Sequence, residues 1–163
     1  MGIQAAYTLV DEQTLDRLVE SAPEHLVDEL ERLELCEGST VYLDKLWDGL
    51  HFLLTGVSAS TPIDGSPLSE AVVGVHVFDS DDFIGCTEQD ELAAIIAALD
   101  AVDVDTLLAA ADFTAFSEAG LYPRIWDGDD DSLRRELSAA FTTLCQVHRR
   151  AAAEGMHLII SIL

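Results

Sequence analysis

Apolar residues recur along the chain at distinct spacings, and each spacing predicts a different kind of element. Ile3–Val10 carries β-branched and aromatic side chains and reads as a strand. Asp11 is then placed to cap a helix with Leu15, Leu18 and Val19 inward. Pro23 opens a second helix, whose stripe is Leu26, Val27, Leu30 and Leu33 and which ends at Glu37-Gly38-Ser39. Residues 43–56 read as a third helix. On it Leu46, Leu50, Leu53 and Leu54 share one face, while Asp44, Asp48, His51 and Thr55 gather opposite, flanked by Trp47 and Phe52.

The pattern then breaks. Val57 to Pro67 is rich in Ser, Thr, Pro and Gly and reads as a loop, either a plain connector or a lid over the polar stripe. A short helical turn at Pro67–Ala71, a strand over Val72–Phe78 and another at Phe83–Cys86 follow, with Asp79–Asp82 as the turn between strands. Helical spacing returns at Leu92, Ile95, Ile96 and Leu99, with Thr87 as its cap. Asp103 and Asp112 cap two short helices, the second carrying Phe113 and Phe116 and stopped by Gly120. Leu121–Trp126 reads as irregular, because the residue before a proline avoids the α region. A long helix over Ser132–Glu154 buries Leu133, Leu137, Phe141, Leu144 and Ala151, with Gly155 past its end. Met156–Leu163 is apolar enough to be a central strand covered on both faces. Together these elements predict one α/β domain of the mixed α+β kind over residues 1–163. Its expected form is layered, a mixed sheet of about four strands flanked by about six helices.

Composition alters this picture mainly through charge. Against 31 Asp plus Glu there are 8 Lys plus Arg, a formal net charge of −23, and Leu46–Pro123 contains no Lys or Arg at all. Such a surface repels phosphate backbones and anionic lipid, so neither nucleic acid nor membrane is an expected partner, whereas a basic protein or bound cations are compatible with it. Simple solubility is the plainer reading of the same charge. The three cysteines are widely spaced without a Cys-x-x-Cys, which fits a reducing compartment and gives neither a disulfide framework nor a zinc site. Residues 1–10 lack a basic, long-apolar leader, and no apolar run reaches the ~20 residues that span a bilayer. The expected location is the cytoplasm.

Candidate chemistry is sparse. Asp48 and His51, three apart on the predicted helix, form half of a general-base arrangement, and serve equally well as a tie between helix and loop. Asp44, Trp47 and Thr55, in or beside the same stripe, are candidate ligand-binding residues. Cys86 precedes a predicted helix N-terminus, where a thiolate is stabilised, with His51 or His76 as a partner; packing is the alternative. Asp127-Gly128-Asp129-Asp130-Asp131 suggests a calcium loop but fails it. The positions needing Gly and Glu hold Ser132 and Ser138, leaving an acidic turn before a helix. The five histidines show no His-x-x-x-His spacing, and Gly-x-Gly-x-x-Gly, the P-loop and Gly-x-Ser-x-Gly are absent. No cofactor and no metal are expected.

Several short segments in fixed order carry a family resemblance. They are Met1-Gly2-Ile3, Asp44-Lys45-Leu46-Trp47-Asp48-Gly49-Leu50-His51-Phe52-Leu53-Leu54-Thr55-Gly56, Pro67-Leu68-Ser69 with Ala71-Val72, Glu91-Leu92-Ala93 and Leu121-Tyr122-Pro123. In these the chain resembles the YfbM-like family, small bacterial proteins classed as a domain of unknown function. The resemblance implies one cytosolic domain with a mixed sheet and flanking helices, and brings no activity, cofactor or catalytic residue. Two functional expectations result. One is a non-enzymatic, inhibitor- or immunity-like module that binds a basic protein. The other is a small hydrolase or small-ligand-binding protein using a pocket around His51 and Asp48.

Overall fold

The computed structural model describes residues 2–163. In chain order the elements are β1 (Ala5–Val10), α1 (Glu12–Glu20), α2 (Pro23–Glu34), β2 (Thr40–Asp44), α3 (Trp47–Thr55), α4 (Pro67–Val73), β3 (His76–Val77) and β4 (Phe83–Thr87). There follow α5 (Leu92–Asp100), α6 (Val104–Ala110), α7 (Phe113–Glu118), α8 (Asp130–Glu154) and β5 (His157–Ile162). The strands form one sheet in the order β2-β1-β5-β4-β3, so the last strand in sequence lies at its centre.

Alternation along β5 sets the layers. Leu158 and Ile160 face a large cluster built from α3 to α8, whereas Ile159 faces a smaller one with Leu15 and Leu18 of α1 and Leu26 and Leu30 of α2. All three β5 residues are at most 1% exposed. A strand covered on both faces has little use for polar residues, which accounts for its composition. Side chains that accept backbone N–H groups start several helices, with Asp11, Asp103, Asp112 and Asp129 each capping its own. The long α8 ends at Gly155, which adopts the left-handed conformation that glycine reaches at least cost. Among the described residues no helix is long and apolar enough to cross a membrane.

The α+β class and layered arrangement are as the sequence predicts, with three corrections. The sheet has five strands, and every pairing in it is antiparallel rather than mixed. Eight α-helices, not about six, flank it among the described residues. Finally, Val72 and Val73 end a helix instead of starting a strand, leaving His76–Val77 as β3, with Val75 and Phe78 adding backbone bonds to β4 on either side. Pro67 sits at the first turn of that helix, and Ala71–Val73 are buried in the larger cluster. Burial on a helix face has overridden the β preference of valine.

Candidate functional site

The third predicted helix begins later than its hydrophobic period suggests. Thr40–Asp44 is β2, paired with β1 through Ala5↔Asp44 and Ala6↔Tyr42, and α3 starts only at Trp47. Asp44 takes φ 59, a left-handed conformation that a short Asp side chain tolerates, and is exposed. It therefore does not join Asp48 and His51 on a helical stripe. Within α3, Leu50 is fully buried as predicted, but so are Asp48, at 5% exposure, and His51, at 0%. Leu50 on the leucine face and Asp48 and His51 on the polar stripe are all interior, while Leu46, Leu53, Leu54 and Thr55 are half-buried.

Burial is possible because every polar atom of the pair has a partner. Ser58 Oγ–H and Ala59 N–H each donate to Asp48 Oδ1 at 2.8 Å, and Tyr122 N–H donates to Oδ2 at 2.9 Å. His51 Nδ1 lies 2.8 Å from the Val57 carbonyl, which can only accept, so Nδ1 carries the proton. That leaves Nε2 to accept from Ser69 Oγ at 2.8 Å, while Ser69 Oγ accepts the Ile63 N–H at 2.9 Å. Loss of hydration holds the His51 pKa below its ordinary value, against the opposing pull of the Val57 carbonyl and the Asp48 charge. The neutral imidazole this favours is the form the network requires. Asp48 and His51 thus fasten the 57–66 loop and the 121–126 segment to α3, each through its own partners.

The other stripe residues have comparable duties. Thr55 Oγ1–H donates to the His51 carbonyl at 2.7 Å, a back-bond within the last turn. Trp47 stacks on Tyr122 with ring centroids 5.7 Å apart, and its Nε1–H donates to the Ile3 carbonyl at 3.1 Å. Gly49 is where Trp126 meets the helix, for a Cβ there would lie 2.1 Å from the indole. Ser58 carries no sequence signal and Ser69 only its place in the Pro67-Leu68-Ser69 segment, since their partners are set by the fold of the loop.

Cys86 follows the packing reading rather than the thiolate one, buried in the smaller cluster. Burial pushes its thiol up to about 12, and the nearby Glu88 and Glu91 charges add to the effect. A thiol held protonated is a poor nucleophile. It lies at the floor of a surface cleft of about 380 Å³ between α1 and the β3–β4 hairpin, with Leu15, Val19, Val77 and Phe78 as apolar walls. His76, Asp79 and Glu88 stand at the cleft's polar edge. Neither His51 nor Asp48 lines it.

A five-stranded antiparallel sheet between two helical layers defines a small α+β domain, in which Asp48 and His51 tie the 57–66 loop and the 121–126 segment to α3. The family model described as "Domain of unknown function (DUF1877)" matches residues 1–161, and the chain belongs to that family. It is 31% identical over 166 residues to protein YfbM of Escherichia coli (strain K12), covering 99% of each chain. It is also similar to the crystal structure of YfbM, a protein of unknown function from Escherichia coli. That match has a TM-score of 0.83 and 30% identity, covering 98% of this chain and 99% of that one.

Proposed function

We propose that the protein is a non-enzymatic binding module for a basic protein partner, acting in the manner of an inhibitor or immunity protein. The observation that carries this reading is the cleft between α1 and the β3–β4 hairpin, apolar within and acidic around. Val19 and Val77 are each 64% exposed there. Asp79 and Glu88 border it, and a neighbouring cleft adds Glu24, Asp81 and Asp82. Apolar surface inside a charged rim is the ordinary anatomy of a protein interface, and a net charge of −23 accelerates encounter with a basic partner. The internal hydrogen bonding of Asp48 and His51 supports the non-enzymatic half.

Capture from lysate on the immobilised protein at low ionic strength, followed by salt elution, tests it. The expected result is a basic protein that an unrelated acidic protein of matched charge does not retain. Val19→Asp and Val77→Asp should each weaken its retention. Equal capture by the matched control, or capture indifferent to both substitutions, would sink the reading.

A second reading, a small hydrolase or ligand-binding protein built on His51 and Asp48, draws on the 2.8 Å contact between Ser69 Oγ and His51 Nε2. Serine activation by imidazole has this form. Ser69 is 0% exposed, so substrate access requires the 57–66 loop to lift. Labelling of Ser69 by a serine-directed organophosphonate supports that reading, and an unlabelled Ser69 removes it.

A further inference from the structure

His76, Glu88 and Glu91 are far enough apart in sequence to form no motif, yet the sheet brings them together. The hairpin pairs His76 with Cys86, two residues before Glu88. Glu88 then begins a short 3-10 turn over Gln89–Glu91, in which the Glu88 and Glu91 side chains each accept the other's backbone N–H. Both carboxylates are therefore held before any ligand arrives. His76 Nε2 lies 2.9 Å from Glu91 Oε1 and 3.6 Å from Glu88 Oε2, and one ligating atom from each residue falls within 4.8 Å of the others.

We infer that this trio is a divalent-cation site for a late first-row metal of the Zn²⁺ type. Three arguments converge. With metal–ligand bonds of ~2.1 Å, neighbouring ligand atoms sit about 3.0–3.4 Å apart in octahedral or tetrahedral geometry, and the two spacings from His76 Nε2, 2.9 and 3.6 Å, bracket that range. Two carboxylates and a neutral imidazole carry the charge that one divalent cation cancels. All three residues also lie in the stretch from Leu46 to Pro123 that has no Lys or Arg, so no cationic side chain from that stretch competes for the carboxylates. The imidazole sets the metal class, favouring zinc-like ions over Mg²⁺ or Ca²⁺, which prefer oxygen donors alone. Three protein ligands leave coordination positions open. His76 and Glu88 also border the 380 Å³ cleft. The inference rests on these three side chains and is independent of the partner-binding reading.

The test is calorimetric titration of the metal-free protein with Zn²⁺ in the presence of excess Mg²⁺, which occupies diffuse acidic sites. One equivalent of Zn²⁺ should bind, at least tenfold more weakly in His76→Ala and in Glu91→Gln. The glutamine keeps a carbonyl to accept the Glu88 N–H, so loss of binding there is not loss of the turn. Asp81→Asn with Asp82→Asn, which removes charge from the nearby acidic turn, should change affinity less than twofold. Mn²⁺ should broaden the backbone amide resonances of residues 88–91 selectively. Unchanged affinity in His76→Ala, an equal loss in the Asp81/Asp82 variant, or broadening spread over the acidic surface would each overturn the assignment.

Discussion

Two groups of polar side chains, one around α3 and one on the β3–β4 rim, show how differently the same residue types are employed. At α3 a carboxylate, an imidazole and a serine are buried, and each of their polar atoms is hydrogen-bonded to a loop backbone or to another member of the knot. On the rim an imidazole and two carboxylates face solvent in part and pair chiefly with one another. The first group reads as chemistry in the sequence and ties a loop to a helix in the fold. The second has no motif, and its groups keep capacity for a ligand. Burial with complete satisfaction marks a structural role; convergence at the surface beside a cleft leaves a functional one open.

The comparison can be broken most directly at Asp48. Replacing it with Ala strands the Ala59 and Tyr122 N–H groups in the interior, and urea denaturation should show a loss of roughly 2–5 kcal/mol. A loss below about 1 kcal/mol would mean that the knot does not hold the loop. Acid offers the next largest effect. His148 is fully buried and donates from Nδ1 to the Leu144 carbonyl, and its Nε2 has no partner among the described residues. Burial lowers its pKa from the ordinary 6.5 to about 4, the Leu144 carbonyl opposing. The folded state then binds fewer protons than the unfolded state between those values. Its stabilising effect is complete above pH 6.5 and is lost toward pH 4, by about 3 kcal/mol in all. His51, lowered for the same reason, acts in the same direction. Denaturation midpoints measured across this range should fall with pH, and His148→Leu should flatten the descent.

Gly49→Ala should have an effect of intermediate size. A methyl group 2.1 Å from the Trp126 ring forces a shift in a packed cluster, and thermal unfolding should register about 1–3 kcal/mol. Least of all, His76→Ala should change stability by no more than about 0.5 kcal/mol, as exposed pairs generally do. A larger loss on the rim would erase the contrast with α3.

What the sequence made legible was local. The Asp11, Asp103 and Asp112 caps, the α8 helix with its Gly155 terminus, and the apolar β5 all depend on near neighbours. Asp44 was misread because a leucine period continued across a strand end, and only pairing with Ala5 reveals the break. In sequence Asp48 and His51 read as a carboxylate orienting an imidazole, yet each bonds to its own partners, and their burial depends on Tyr122, Ser69 and the 57–66 loop, which no spacing encodes. His76 reaches Glu91 only through the register of a hairpin. Thr87 is the expected cap of the helix that follows, but the cap falls one position later, where Glu88 stands in the place the pattern reserves for Ser or Thr.

The placement of β5 bears on how the molecule comes to be made. Ala5 pairs with Ile162, and β4 finds its other neighbour in the same strand, so both halves of the sheet wait for a segment emerging from the ribosome well after them. Until it arrives, β1 and β4 each present an unpaired edge. Contacts so distant along the chain make for slow closure, and a nascent chain in that interval has reason to be shielded from its copies.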